Sequence, residues 1–191
     1  MASVRKTILF LALAALAAGS AFSAVRFEAG FYLGVRSLNF IEFGRSTGSS
    51  LVYSPTASVF LSRNIFCGAA YEGGHLGRVN AGIPGESAKL DVSGIEVFAG
   101  YQPWTRPFVP YIKAGFGSYS YKYAFDNPSL KAFGADGTKA VILIGGGLKI
   151  FLFRFLFLGG EFRYFPLTVK SRGVDVDIGG TRILGGIGVF L

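Results

Sequence analysis

Apolar and polar residues alternate with a period of two along most of this chain. The first such segment covers residues 25–36, where Phe27 and Leu33 fall on one face and Glu28 falls on the other. A period of two is typical of a β-strand whose two faces have different surroundings. Seven further segments alternate in the same way, near residues 51–61, 65–74, 88–101, 108–121, 139–151, 156–166 and 176–191. The sequence therefore predicts eight strands.

The connections between these segments alternate between long and short. The short ones have the length of hairpin turns, and the long ones are rich in Gly, Ser, Asn, Asp and Pro, as surface loops are. The short connections are 62–64, 102–107 and 152–155; the long ones are 37–50, 75–87 and 122–138, and 167–175 is of moderate length. An up-and-down barrel with both chain ends on the side of the short turns produces this order.

Charged residues make up only 16% of the chain. A soluble barrel would place its polar face in water, and such a surface carries about 25–35% charged residues. A transmembrane barrel instead places its apolar face in lipid and its polar face in the lumen. The polar faces here carry only one or two charges per strand among Gly, Ser and Tyr. This low density favours the transmembrane arrangement over the soluble one.

The polar faces contain acidic and basic side chains in equal number. They are Glu28, Glu72, Glu96, Glu161, Lys113, Lys149, Arg163 and Arg182. Charges without bulk water must pair and form hydrogen bonds, because an isolated buried charge is very costly. We therefore predict a paired charge network in the lumen. Glu96 is expected to pair with Lys113 on the adjacent strand. Glu161, Arg163 and Arg182 are expected to form a second paired group on the last two strands.

The opposite face of the same strands is uncharged. Around residues 112–116, 142–150 and 183–189 it is rich in Ile and contains no charge, so we expect it to face lipid. The predicted fold class is an all-β, eight-stranded, antiparallel up-and-down transmembrane β-barrel. Aromatic residues near the strand ends are expected to form interfacial girdles, and they are Trp104, Phe108, Phe151, Phe153, Phe155 and Phe165.

Residues 1–23 have the features of a secretory signal peptide. Arg5 and Lys6 form a basic start, an apolar run follows, and residues 21–23 read Ala-Phe-Ser, a small-x-small cleavage site. The apolar run of about a dozen residues is shorter than the roughly 20 that a membrane-spanning helix needs. We expect export, cleavage and a barrel domain over 24–191 in an outer membrane of the Gram-negative type.

Each short turn contains one arginine and no acidic residue. These arginines are Arg63, Arg106 and Arg154, and the barrel topology places them at the periplasmic rim. An arginine stem can lie along lipid while its guanidinium reaches an anionic headgroup. We predict lipid contacts for all three.

Two short stretches carry a family resemblance. Residues 110–117 read Pro-Tyr-Ile-Lys-Ala-Gly-Phe-Gly, and residues 160–164 read Gly-Glu-Phe-Arg-Tyr. They resemble a strand after the second periplasmic turn and the penultimate strand in the eight-stranded outer-membrane β-barrel family of OmpA transmembrane domains, OmpX and opacity-type proteins. The resemblance implies outer-membrane lipid and the barrel-assembly machinery as partners. That machinery recognises a terminal aromatic residue, whereas here Phe190 is penultimate and Leu191 is last.

Catalytic chemistry has few candidate residues. His75 is the only histidine, and acyl transfer or hydrolysis would need it to pair with Ser93 or Asp91 of the neighbouring strand. No motif supports that pairing, so we expect no enzyme activity. Asp175 and Asp177 alone supply too few oxygen ligands for calcium. We expect neither a cofactor nor a metal.

The formal net charge of +8 raises the question of nucleic acid binding. The basic residues form no stripe that would track phosphates, so no nucleic acid partner is expected. The favoured function is a structural or surface-interaction role through long extracellular loops, which could bind an extracellular ligand. The alternative is a narrow channel or a hydrophobic small-solute transporter. Eight strands enclose an interior that side chains about fill, which favours the first function.

Overall fold

The computed structural model describes residues 26–40, 45–80, 87–125, 127, 135–171, 174–177 and 179–191. The strands are β1 (Arg26–Phe40), β2 (Arg45–Phe60), β3 (Ile65–Asn80), β4 (Ser87–Tyr101), β5 (Phe108–Phe125), β6 (Ala135–Phe151), β7 (Leu156–Phe165), β8 (Thr168–Ser171), β9 (Val174–Asp177) and β10 (Gly180–Phe190). Among the described residues, no helix is long and apolar enough to cross a bilayer. The expected signal peptide, residues 1–23, lies outside them.

Eight of these strands close into an antiparallel barrel in the order β1-β10-β7-β6-β5-β4-β3-β2. Phe31 of β1 lies opposite Ile187 of β10 on one side and Pro55 of β2 on the other. At the closing seam, the Phe27 amide donates to the Leu191 carbonyl oxygen at 3.0 Å, and the Leu191 amide donates back at 2.8 Å. The predicted all-β, eight-stranded, antiparallel up-and-down topology is confirmed.

The moderate connection near residues 167–175 contains part of a β-hairpin that the sequence analysis did not predict. β8 and β9 pair as a separate two-stranded sheet, with Val169 opposite Val176. The last barrel strand therefore begins at Gly180 rather than near residue 176. Gly180 has a φ of 143°, a conformation that favours glycine, and the chain passes from the hairpin into the barrel there.

The exterior of the barrel carries a continuous apolar belt. On β5 it runs from Phe108 to Phe116, and on β6 from Ala140 to Ile150. The outward positions of the belt hold no charged side chain in the described strands. Every barrel strand contributes at least one large exposed hydrophobic residue, among them Leu33, Leu51, Ile65, Ile95, Ile112, Ile144, Phe162 and Ile183.

Inward glycines allow neighbouring strands and rings to approach closely. A Cβ atom added at Gly115 would lie 2.1 Å from the carbonyl oxygen of Val97. A Cβ atom at the outward-facing Gly185 would meet nothing within 4 Å. The interior of an eight-stranded barrel is narrow, and a side chain at position 115 would collide with the neighbouring strand.

Candidate functional site

The barrel interior contains all eight charged residues that the sequence analysis assigned to the lumen. Each of them is less than a tenth exposed, and they are Glu28, Glu72, Glu96, Lys113, Lys149, Glu161, Arg163 and Arg182. Arg36 joins them and is fully buried. It has the same parity as Glu28 in β1, so the alternation could have identified it. The described interior therefore contains five cationic side chains and four carboxylates.

The ion pairs nearest the short connections are centred on Lys149. Its Nζ lies 2.7 Å from Oε1 and 2.6 Å from Oε2 of Glu28. The same nitrogen donates to Oε1 of Gln102 at 2.6 Å and lies 4.6 Å from the ring centre of Tyr111. Gln102 was assigned only to a short turn, yet its side chain is fully buried and completes the coordination of the ammonium group.

Glu161 is the acceptor at the next level of the interior. Lys113 Nζ lies 2.7 Å from its Oε1, and Arg163 Nε donates to the same oxygen. The hydroxyl of Tyr111 donates to Oε2 at 2.5 Å. Both carboxylate oxygens are therefore satisfied by donors from β5 and β7.

Glu96 connects two arginines towards the long connections. Its Oε2 lies 2.9 Å from Nη1 of Arg163, and its Oε1 lies 3.0 Å from Nη1 of Arg182. The Tyr119 hydroxyl also donates to Oε1 of Glu96. β4 is not adjacent to β7 or β10, so these ion pairs cross the lumen.

Three arginines form a row across neighbouring strands. Arg36 lies opposite Arg182, and Arg182 lies opposite Arg163. Glu72 accepts from Arg36 through one oxygen and pairs with Arg182 through the other. The guanidinium carbon of Arg182 lies 3.6 Å from the ring centre of Phe165. The carboxylate and the ring together offset the repulsion between like charges that are side by side.

The pairing between adjacent strands was predicted incorrectly in two places. Glu96 lies opposite Gly117 rather than opposite Lys113, so the backbone positions of Glu96 and Lys113 are offset by four residues, about 13 Å along the strand. Lys113 pairs with Glu161 instead. Glu161 binds Arg163 as expected, but Arg182 pairs with Glu72 and Glu96, not with Glu161.

Aromatic rings fill the interior at the short-connection end. We call this group the basal cluster, and it consists of Phe60, Phe66, Trp104, Phe151, Phe157 and Phe190. The ring centre of Trp104 lies 4.8 Å from that of Phe190, 5.6 Å from that of Phe60 and 5.9 Å from that of Phe151. The rings therefore close this end of the lumen.

This arrangement corrects part of the predicted aromatic girdle. Phe151 and Phe165 are inside the barrel, and Trp104 belongs to the basal cluster. A position near a strand end does not decide between the two faces, because a ring can also cover the open end of a narrow lumen. The remaining girdle candidates are exposed, and they are Phe108, Phe153 and Phe155.

The short turns are joined to one another beneath the basal cluster. Trp104 Nε1 donates to the carbonyl oxygen of Arg63, and Arg106 Nη2 donates to that of Arg154 at 3.3 Å. The guanidinium carbon of Arg106 lies 4.4 Å from the ring centre of Phe151. All three turn arginines are exposed. The Arg106 side chain, however, lies against the basal cluster rather than along the outer wall.

The space that remains among the lower ion pairs is very small. A cavity of about 10 Å³ lies between residues that include Glu28, Tyr32, Lys113, Lys149 and Glu161. A water molecule needs about 10–15 Å³ measured in this way. This cavity therefore has room for about one water molecule.

The residues considered for catalysis lie on β3 and β4. His75 lies opposite Asp91 in the β3–β4 pairing, and Ser93 follows two residues later on the same outward face. The side chains of His75, Asp175 and Asp177 lie outside the described residues. Within the described part of the chain, no group of three or more His, Cys, Asp or Glu side chains could hold a metal ion.

Comparison with known proteins gives structural matches only. No family model and no curated protein matches the chain. OprG from Pseudomonas aeruginosa matches with a TM-score of 0.62 and 11% identity over 87% of this chain and 95% of that one. The N-terminal β-barrel domain of Pseudomonas aeruginosa OprF matches with a TM-score of 0.58 and 15% identity, over 87% and 97%.

A third match is Ail, the attachment invasion locus protein of Yersinia pestis, in complex with the heparin analogue sucrose octasulfate. Its TM-score is 0.53 at 14% identity, over 89% of this chain and 100% of that one. At such identities the likeness concerns the fold. The chain has the fold of the eight-stranded outer-membrane β-barrels.

Proposed function

We propose that the chain is an integral outer-membrane protein with a structural or surface-interaction role and a closed lumen. The observation that carries this proposal is the apolar belt around the whole exterior. A soluble protein rarely exposes contiguous apolar patches larger than a few hundred Å². Such a belt is stable in contact with lipid.

The length of the belt supports the same conclusion. The belt spans residues 108–116 on β5 and 140–150 on β6, and a tilted strand crosses the hydrocarbon core with about 9–11 residues. Because β1 and β10 pair, the barrel has no open strand edge. A closed barrel satisfies every backbone polar group in lipid, which an open sheet cannot do.

The interior supports a structural role rather than transport. Ion pairs occupy the lumen from Glu28 to Arg36, and the basal cluster covers its lower end. The charged residues would act as a plug that holds the strands at a fixed spacing. Their pairing also keeps nine buried charges from destabilising the barrel.

The remaining parts of the proposal concern export and partners. Residues 1–23 would be removed as a signal peptide, and the barrel-assembly machinery would insert residues 24–191. Arg63 and Arg154 would contact anionic headgroups at the periplasmic rim, with Arg106 partly engaged by the basal cluster. The extracellular loops would bind an extracellular ligand, and a barrel of this fold has been solved with a heparin analogue bound. We propose no enzyme activity.

Cell fractionation tests the membrane assignment. The chain should be recovered with the outer membrane and should migrate faster on a detergent gel before boiling than after it, because a closed barrel resists unfolding by the detergent. Recovery from the soluble periplasm, with the same migration before and after boiling, would refute the proposal.

Planar-bilayer recording separates the closed lumen from the channel alternative. The unmodified protein should show no discrete conductance steps. A double variant, Trp104→Ala with Phe151→Ala, removes two rings of the basal cluster and serves as the matched comparison. Discrete conductance steps from the unmodified protein would establish the channel and refute the plug.

A further inference from the structure

A concave site with polar and aromatic walls lies on the outer surface of β2–β5, at the edge of the apolar belt. Its volume is about 350 Å³, and its lining includes Tyr53, Tyr71, Asp91, Ser93, Ser120 and Lys122. We call it the tyrosine pocket. Small-molecule sites begin at about 300 Å³ and combine apolar walls with a few polar groups. The tyrosine pocket meets both conditions.

Two polar rows mark the level at which the belt ends. Asp91, Lys122 and Asp136 are register partners on β4, β5 and β6. One step closer to the belt, Ser93 lies opposite Ser120 and Ser120 lies opposite Thr138. The hydroxyl oxygens of Ser120 and Thr138 are 3.2 Å apart. The tyrosine pocket therefore lies where the apolar surface gives way to groups that bind polar ligands.

Two tyrosine rings form the aromatic wall. The ring centres of Tyr53 and Tyr71 lie 6.1 Å apart at an interplanar angle of 45°, and both residues are 42% exposed. A Cβ atom at Gly73 would lie 2.3 Å from the Tyr53 ring. The Tyr53 ring can therefore occupy this position only because residue 73 is a glycine.

We propose that the tyrosine pocket binds the uncharged glycosyl headgroup of a membrane lipid. A sugar presents C–H faces that pack on aromatic rings and hydroxyls that donate to a carboxylate such as Asp91. The lining contains one acidic and one basic side chain, Asp91 and Lys122, so it has no net positive charge to attract a phosphate. The adjoining apolar belt offers a surface for the acyl chain. The proposal rests on the proposed membrane location.

The test uses the full protein purified from membranes in phosphocholine micelles, with dodecyl maltoside as the probe. Native mass spectrometry measures the fraction of barrels that retain one maltoside. The unmodified protein should retain it, and Tyr71→Leu should lower retention about 5-fold through loss of ring stacking. Asp91→Asn should lower it as well. Tyr164→Leu is the matched control, because Tyr164 is an equally exposed tyrosine on β7 and lies outside the pocket.

Two competition experiments identify which part of the detergent the pocket binds. Free maltose should compete with dodecyl maltoside, and extra dodecyl phosphocholine should not. Equal retention by the Tyr71→Leu and Tyr164→Leu variants, or competition by phosphocholine, overturns the proposed site. Gel migration before and after boiling is recorded for each sample. A folded, membrane-derived barrel that does not retain the maltoside refutes the tyrosine pocket alone, whereas recovery of the chain from the soluble periplasm refutes the membrane proposal itself.

Discussion

The two halves of the barrel interior are filled in different ways. Towards the short connections, the basal cluster fills the space with aromatic rings. Ring packing requires close contact but no partner of opposite charge. Towards the long connections, charged groups fill it, and each depends on a group of opposite sign. The aromatic half should therefore lose stability in proportion to the volume removed, whereas the ionic half should lose much of it when one partner is deleted.

The largest effect is expected from Glu161→Ala. Lys113 and Arg163 would then remain buried without the carboxylate that both contact. Removing one partner of a buried pair costs about 3–5 kcal/mol. Urea unfolding of the barrel in detergent should show this as a lower free energy of unfolding.

The matched control replaces both charges, as Glu161→Met with Lys113→Met. An apolar pair of similar volume leaves no isolated charge at these two positions, so the double variant should be more stable than Glu161→Ala. If Glu161→Ala unfolded at the same urea concentration as the unmodified protein, the paired, inward position of Glu161 would be contradicted.

Phe157→Ala tests the aromatic half. Phe157 is fully buried, and loss of a buried Phe side chain costs about 3 kcal/mol. Phe157→Leu should cost about 1.5 kcal/mol or less, since it keeps most of the volume. Phe155→Ala is the control, because Phe155 is 56% exposed. If Phe157→Leu destabilised the barrel as much as Phe157→Ala, the graded response of this half would be disproved.

A smaller loss is expected when a side chain is added to the interior wall. Gly115→Ala would bring a Cβ atom against the backbone of Val97, and overpacking typically costs about 1–3 kcal/mol. Gly185→Ala places the same methyl group on the open outer face and should leave the free energy of unfolding nearly unchanged. Equal effects at both positions would mean that the assignment of the two faces is wrong.

The smallest effects are expected from the turn arginines. Arg106→Gln should cost about 0.5–1 kcal/mol in both neutral and phosphatidylglycerol bilayers, because it removes a cation–π contact with the basal cluster. Arg63→Gln and Arg154→Gln should lower stability only in the anionic bilayer, by about 1 kcal/mol each. Unfolding in the two lipids gives the comparison. A purely lipid-dependent effect of Arg106→Gln would show that its ring contacts add nothing.

The strand faces could be predicted from the sequence because burial alternates along much of each barrel strand. Phe31 is 45% exposed and Tyr32 is 2% exposed, and a period of two records such a difference directly. The same alternation led to a wrong prediction at the β8–β9 hairpin. Residues 176 and 177 continue the alternation, so the prediction included them in the last barrel strand, whereas β9 pairs with β8 in a separate sheet.

The partners of the lumen charges could not be predicted, because a contact across a barrel depends on the stagger of all the strands between the two residues. Glu96 on β4 meets Arg182 on β10, and no local pattern in either segment contains that information. The parity of Arg36 did contain its inward direction. Gln102 gave no such signal, because its position in a turn does not specify which way its amide points.

The seam between β1 and β10 has a kinetic consequence. It joins Phe27 to Leu191, so nearly the whole barrel chain separates the two strands. Loop-closure entropy and high contact order make such a contact slow to form. Phe190 is carried by the last strand and enters the basal cluster only when β10 has docked. Completion of the cylinder and burial of the final ring are therefore one event, and intermediates that lack it keep both an unpaired strand edge and an open base.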